Sequence, residues 1–376
     1  MEVTWERGAH ASRVSDLFGV DLDAFLREDV LTALHANAWE SVLCVEGRHA
    51  MLHVIVSTPV GTSGWRDVEP FFGYAGPVLT EECPTAFVAS AWQAYSAACR
   101  ERGIVAEVIR FQPDRANHLP FVDVEGLTVW QGRLISYVPV IEGDDHAQLA
   151  VYTPGCRRQI RGARRRCRVT HVDSAPLEWS SYRRLADRCL TRNRAAQRWF
   201  FDDDFFARLR RSPAVSLWGV RSDVSDELLS AAVVVSARDV AHTLFVANAA
   251  PKHLQGAHDL LTHAIVRTAQ ETGCRWVCLG GGRSSATDDA LLRFKLKFGP
   301  GFARALPIGF AVHDVRAYAA LCGQATREVP RSDLGQSAEF LAPIMPYRLA
   351  SRFANPGAVS VTPAGHSEAE RHAVSD

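Results

Sequence analysis

The sequence predicts an α+β protein made of two units of related plan. Three observations carry that expectation. Segments of helical and of strand periodicity alternate along the chain. The same order occurs twice: helices, a strand meander, then a helix returning onto a strand. And 376 residues exceed what one core usually holds, about 250–300 residues. The first unit is expected over 1–150 and the second over 151–322, with a C-terminal extension over 323–376. The end of that extension, "TPAGHSEAERHAVSD", is polar and unpatterned, which predicts disorder, whereas "FLAPIMPYRL" is apolar enough to dock.

In the first unit, residues 12–36 hold helical material. "WESVLCVEG" and "HAMLHVIVSTP" form a hairpin around Glu46-Gly47-Arg48. "FFGYAGPVL" (71–79) reads as a strand stopped at Pro77. Phe87, Ala91, Trp92 and Tyr95 recur at helical spacing in 84–102. "GIVAEVIRF" and "VWQGRLISYVPV" are strands around the loop "QPDRANH". In the second unit, "RRQIRGARRRCRVTHV" is a helix running into a strand, and 177–211 holds two or three helices. "AVSLWGVRS" and "LLSAAVVVSARDVAHTLFVANAA" supply three strands, and "HDLLTHAIVRTAQETG" a long amphipathic helix. "CRWVCLGG" is a buried strand, and "LPIGFAVHD" and "DVRAYAALC" close the unit as strand and helix.

Composition narrows the function classes. Lys+Arg and Asp+Glu both number 42, so no net field draws the molecule to a polyanion, and any nucleic acid must be met by a local patch. DNA is not an expected partner. No apolar run approaches the length of a membrane span, and no leader is recognisable, so a cytoplasmic protein is expected. The nine cysteines are scattered without a C-x-x-C pair, which points to reduced thiols and no metal site. Only three lysines occur: Lys252, Lys295 and Lys297.

Two of those lysines fall in "LGGGRSSATDDALLRFKLKFG" (279–299). Thr287 before Asp288 and Asp289 reads as a helix start, with the hydroxyl as cap and acids at the positive end of the dipole. Advancing 100° per residue, Leu291, Phe294 and Phe298 make an apolar stripe. Lys295 falls inside it and Lys297 outside, where it is read as a solvated charge. A half-buried ammonium must snorkel, pair with an acid, or face a cleft that uses its charge. Gly280-Gly281-Gly282 after a strand permits close backbone approach and presents N–H groups, without the spacing of a P-loop.

The stretch "LGGG", an acid-rich helix start, "LLRFKLKFG", "GFAVHD" and "YAAL" resembles the C-terminal end of the FemAB family, within the wider GNAT-like acyltransferases. "RDVEPFFGYAGPVL", "RFQPDRANH", "CRRQIRGARRRCRVTHV", "YRRLADRCLTRNRAAQRWFFDDDFF" and "FLAPIMPYR" resemble further family motifs, in order, over about 40–348. The resemblance implies two tandem GNAT-like domains with mixed central sheets flanked by helices. It also implies an aminoacyltransferase that moves an amino acid from aminoacyl-tRNA to an amine acceptor. That acceptor is a peptidoglycan precursor in the best-known members and a small natural product, as in antibiotic biosynthesis, in others. The matching reaction-centre residues are Phe294 and Lys295. A compact ammonium fits beside a reacting carbonyl where a planar guanidinium would crowd it.

Candidate substrate-binding residues are Arg192, Asn193 and Arg198 for an anionic part of the acceptor, with Tyr74, Gly281 and Gly282. For tRNA, seven arginines occur in 157–168, and Arg157, Arg161, Arg164, Arg165 and Arg168 would share one helix face. No cofactor is expected, aminoacyl-tRNA being a co-substrate. Acyl-CoA is the alternative donor, weakened because "HLQGAH" keeps only the first glycine of a pyrophosphate-cradling pattern. A non-catalytic relative is a third reading. Phe72 stands where the family has tyrosine, Cys189-Leu190 where it has T-M, and the long helical arm of some tRNA-using members is absent. His242, His313 and Asp123 offer no defensible general base.

Overall fold

The computed structural model describes residues 1–19, 21–68, 72–172, 176–250, 256–328 and 345–348. The first half runs β1 (Glu2–Arg7), α1 (Val14–Phe18), α2 (Glu28–His35), β2 (Glu40–Glu46), β3 (His49–Ile55), β4 (Ser57–Pro59) and β5 (Arg66–Val68). It continues with β6 (Val78–Leu79), α3 (Thr85–Glu101), β7 (Ile104–Arg110) and β8 (Leu127–Pro139). The second half opens with α4 (Asp145–Val151), α5 (Pro154–Ala163), β9 (Cys167–Val172), α6 (Pro176–Arg192), α7 (Asp203–Arg211), β10 (Val215–Ser222) and β11 (Leu228–Ala237). After these come β12 (Val240–Asn248), α8 (Ala257–Glu271), β13 (Trp276–Gly281), α9 (Ala290–Leu296), β14 (Ala303–Val312) and α10 (Val315–Glu328).

The mixed sheets expected are present, and the larger of them is shared between the two halves. Four of them form a small sheet in the order β1-β2-β3-β6. Ten form one continuous sheet, β4-β5-β7-β14-β8-β13-β12-β11-β10-β9. Strand β14, late in the chain, lies between β7 and β8 of the first half, with Phe310 opposite both Val108 and Thr128. Hydrogen bonds therefore cross the point near residue 150 where the chain passes from one half to the other. The reason lies in the strand itself: Leu306, Ile308 and Ala311 are buried, so β14 needs cover on both edges and both faces.

The site owes its position to one short parallel pairing. β12 and β13 pair only at Val240↔Trp276, Ala241↔Val277 and His242↔Cys278. Beyond that point β12 continues along β11 to Asn248, while β13 continues along β8 to Gly281. The register of β13 against β8 slips between Cys278 and Gly280, and Gly280 has φ +75°. A bulge built on a positive-φ glycine bends the strand away from its parallel neighbour. Parallel strands that separate at their C-terminal ends leave the type of crevice in which α/β proteins bind ligands.

Two sequence readings are corrected here. Residues 72–79 are not one strand: the described part holds only β6 and a single bridge between Ala75 and Phe111. Gly73 (φ +86°) and Gly76 (φ +69°) turn the chain, and a Cβ at either would overlap Phe25 or Phe111. The freed backbone is satisfied by Asn117, whose Nδ2 donates to Ala75 O (2.8 Å) and Pro77 O (3.0 Å). Helix α9 is capped by Asp289, not Thr287: its carboxylate accepts from the backbone N–H of Leu291 and Leu292, both at 2.9 Å. Of the C-terminal extension, residues 323–328 continue α10, and residues 345–348 dock on β4–β5, with Met345 buried and Arg348 donating to Pro59 O at 2.8 Å and pairing with Asp67. The polar end lies outside the described residues.

Candidate active site

Lys295 stands on α9 with its side chain turned into the crevice, where Nζ donates to the carbonyl of Gly281 at 2.7 Å. It makes no ion pair with the described residues. Burial pushes the ammonium pKa down from 10.5 to about 8, aided by Arg133. A Cβ at Gly280 would lie 3.4 Å from Lys295 Nζ and 3.7 Å from the Tyr74 hydroxyl. The lysine and the tyrosine thus face each other over the bare α-carbon of Gly280, a spot any larger residue would fill. Burial raises the Tyr74 pKa, so the phenol stays protonated at neutral pH and is available as a donor.

The glycine corner is pinned by Asp289. Besides capping α9, its carboxylate accepts from the N–H of Arg283 and Ser284 and from the Ser284 hydroxyl, each at 3.1 Å. Those N–H groups pull its own pKa down to about 2. Arg133 Nη1 donates to Gly282 O at 3.2 Å and lines Gly281. Gly282 is close against Asp289, where a Cβ would lie only 2.5 Å from Oδ1. Three of the sequence-selected residues, Tyr74, Gly281 and Lys295, therefore converge on one point, with Gly282 shaping the corner behind it.

Phe294 stacks on His258 at 4.3 Å between centroids and meets Phe298 edge-on at 5.7 Å. Burial and the two lysines push the His258 pKa down to about 3, so this histidine is neutral. Lys297 is not a solvated charge, as its place on the helix suggested. Its Nζ pairs with Asp259 Oδ1 at 2.5 Å and sits 3.9 Å from the Phe294 ring centroid. The acid that draws it belongs to α8, which a wheel of α9 alone does not contain. Lys297 O also accepts from Thr153 N at 3.0 Å, tying α9 to the start of α5.

Arg192 and Asn193 sit at the end of α6, both exposed. Arg192 Nη2 donates to Asn248 O at 2.7 Å, and Asn248 Nδ2 lies 3.3 Å from His258 Nδ1. A chain of contacts thereby runs from Arg192 through Asn248 and His258 to Phe294. Asn193 reaches no further than Cys189, 3.5 Å away. Arg198 is exposed over Trp199, outside this chain. Phe72 belongs to an aromatic cluster with Trp199, Phe201, Phe205 and Phe245. That packing accounts for a phenylalanine without a hydroxyl at this place.

The arginine segment does not present a single helix face. α5 ends at Ala163, and Arg168 stands on β9. Arg157 donates to Tyr152 O (2.6 Å), Arg164 chelates Asp145 (2.6 and 2.8 Å), and Arg168 pairs with Asp226. These three hold the fold together. Arg161 and Arg165 are exposed without a partner among the described residues. For the pyrophosphate of CoA, the start of α8 offers poor ground. Gly256 lies against α5, where a Cβ would meet Gln159 O at 3.0 Å, and the first turn carries the carboxylate of Asp259. Residues 252–255 of that motif lie outside the described residues.

Sequence reasoning passed over Tyr137, Asp114 and Arg133 and took Cys278 only as a strand cysteine; the four lie near Tyr74 or Lys295. Cys278 is buried and neutral, its thiol pushed up to about 12 by burial. The Tyr137 hydroxyl donates to Asp114 Oδ1 at 3.2 Å. The available signal was the pairing itself, since Tyr137 sits opposite Cys278 one step before the bulge. His313 lies in the core of the first half, 3.5 Å from Glu107 and 2.9 Å from Ser96. Asp123 is exposed.

Residues 154–295 match the sequence model of the acetyltransferase (GNAT) domain. Among solved structures, FemX superposes with a TM-score of 0.63 at 12% identity, covering 85% of this chain and 99% of FemX. A conserved protein of unknown function from Bacteroides thetaiotaomicron gives 0.52 at 8% identity over 83% of this chain and 100% of its own. The C-terminal domain of a protein provisionally described as a lysylphosphatidylglycerol synthetase, from Agrobacterium fabrum, gives 0.51 at 15% identity, with 84% and 94% covered. No curated protein matches the chain in sequence. Among the described residues no helix is long and apolar enough to cross a membrane.

Proposed function

The chain has the tandem GNAT-like fold of FemX, and we propose that it uses that fold as an aminoacyltransferase. It moves an amino acid from aminoacyl-tRNA to an amine acceptor, a peptide or a small natural-product intermediate. One observation carries the reading. Lys295 is a partly buried cation without a carboxylate partner among the described residues, fixed by Gly281 O and facing Tyr74 over Gly280.

An aminoacyl ester is already activated, so the protein must align an amine with the carbonyl and stabilise the charge that grows on its oxygen. An ammonium with one N–H held by Gly281 O keeps two for that oxygen. The Tyr74 hydroxyl supplies a further donor from the opposite side. In the balanced step, the amine nitrogen forms a C–N bond, the ester C–O bond breaks, the nitrogen gives up one proton and the departing ribose oxygen takes one up. Phe294, wedged between His258 and Phe298, gives the acyl group an apolar wall.

Of the five selected arginines, exposed Arg161 and Arg165 are the two without a partner among the described residues and would meet tRNA phosphates, and Arg192, through Asn248 and His258, lies on the acceptor side. The crowded, acid-bearing start of α8 disfavours CoA as donor. The test uses labelled aminoacyl-tRNA, added amines and the variants Lys295→Ala and Lys295→Arg. Loss of transfer in both supports the assignment, near-wild-type rates in both remove the lysine from the chemistry, and transfer from acyl-CoA alone would replace the donor.

A further inference from the structure

On the other side of Tyr74 lies a recess that the steps above do not use. Asp23, Phe25, Tyr74, Gln112, Asp114 and His242 line it, and it has room for a single water- or ammonium-sized group. Gln112 and His242 are only 4% and 8% exposed. Gln112 Oε1 and His242 Nδ1 are buried without a hydrogen-bond partner. Buried polar atoms left unpaired are costly to a fold and call for an occupant.

The charge around the recess defines that occupant. Asp23, Asp114 and Asp239 surround one guanidinium, that of Arg115: Nη2 is 2.9 Å from Asp23 Oδ1, Nε is 3.6 Å from Asp114 Oδ2, and Asp239 pairs as well. Three carboxylates against one cation leave a negative rim. His242 adds no charge, because burial keeps it neutral at physiological pH. Three other cations lie nearby. Arg133 bonds Gly282 O, Arg304 lies over the rings of Tyr137 and Trp276, and Arg110, whose charge also acts on Tyr74, lines a separate recess with His53 and Glu107. Among the described residues no group of three or more His, Cys, Asp or Glu is arranged to hold a metal, and the occupant argued for is an organic cation.

We propose that this recess is a subsite for a primary ammonium, holding the amino group of a substrate one tyrosine ring away from Lys295. Carboxylates, an amide oxygen and a neutral imidazole receive the three N–H bonds, while Tyr74 is shared by the amine and acyl sides. The proposal rests on the reading of Lys295 as the acyl centre, yet its test needs no transfer.

Isothermal titration with L-alaninamide, and with N-acetyl-L-alaninamide as the uncharged control, reads the subsite directly. Alaninamide binds at neutral pH and the acetylated control does not. Asp114→Asn weakens alaninamide at least about tenfold, as expected for a charged hydrogen bond lost, and Gln112→Lys, which places an ammonium of its own in the recess, abolishes binding with the thermal transition retained. Equal binding of the two probes, or an unchanged affinity in both folded variants, overturns the proposal. Adding aminoacyl-tRNA, whose own binding is followed by filter retention, separates the two sources of the amine. Displacement of alaninamide by the free form but not by the N-acetylated form assigns the subsite to the donor, and retention beside bound tRNA assigns it to the acceptor. Alaninamide binding without any retained tRNA leaves the subsite standing and refutes the tRNA reading alone.

Discussion

Replacing Lys295 by methionine should make the protein more stable at neutral pH. The side chains are similar in length, so the main change is loss of a charge that the fold holds out of water. Its pKa falls from 10.5 to about 8 on folding, and at 1.36 kcal/mol for each tenfold change in proton affinity this corresponds to about 3 kcal/mol of destabilisation. The variant also loses the hydrogen bond to Gly281 O, about 1 kcal/mol, so the net gain is about 2 kcal/mol. The pH dependence follows from the direction of the shift. Between pH 8 and 10.5 the unfolded chain keeps this proton and the folded one does not, so wild-type stability rises through that window relative to the variant. Urea unfolding of both proteins at pH 7 and pH 10 measures the difference. A methionine variant less stable than wild type at pH 7, or an advantage unchanged at pH 10, would refute the claim that Lys295 is a partly desolvated cation without an acid partner.

Other perturbations separate the parts of the site. Gly280→Ala places a methyl 3.4 Å from Lys295 Nζ at φ +75°; it should lower stability by about 1–2 kcal/mol and reduce transfer more than Lys252→Ala does, read by single-turnover rates. Asp289→Ala removes acceptors for five donors that pin the corner and cap α9; transfer and the thermal midpoint should both fall. The wild-type contribution of this carboxylate is present above pH 3.8 and lost as pH drops through about 2. The double variant Arg161→Glu, Arg165→Glu should weaken tRNA binding and flatten its salt dependence. Arg164→Ala, which breaks the Asp145 chelate, should lower the thermal midpoint with a much smaller effect on tRNA.

Much of the element order was legible because short apolar runs bounded by turn residues and helical stripes are local signals. The runs "ESVLCVE" and "HAMLHVI" and the stripe Phe87, Ala91, Trp92, Tyr95 fold as their patterns predict. What was not legible depends on partners distant in sequence. No pattern in β14 announces that it will enter between β7 and β8. "FFGYAGPVL" has the composition of a strand, yet two positive-φ glycines packed on Phe25 and Phe111 bend it into the turn that presents Tyr74. Lys295 and Lys297 were told apart by helical phase; Lys295 turns toward Gly281 O, whereas Lys297, read as solvated, is drawn in by Asp259 on another helix. The arginine run shows the same limit from the other side. Its charge density is visible in sequence, but Asp145 and Asp226, which bind Arg164 and Arg168, lie 19 and 58 residues away.

Single-turnover transfer from labelled aminoacyl-tRNA to an excess of amine, comparing wild type with Lys295→Met, tests the central claim most directly. The account predicts a rate lower by about a hundredfold or more in the variant, the range seen when one donor to a developing oxyanion is removed, in a protein at least as stable as wild type. Transfer by the variant at the wild-type rate would contradict it.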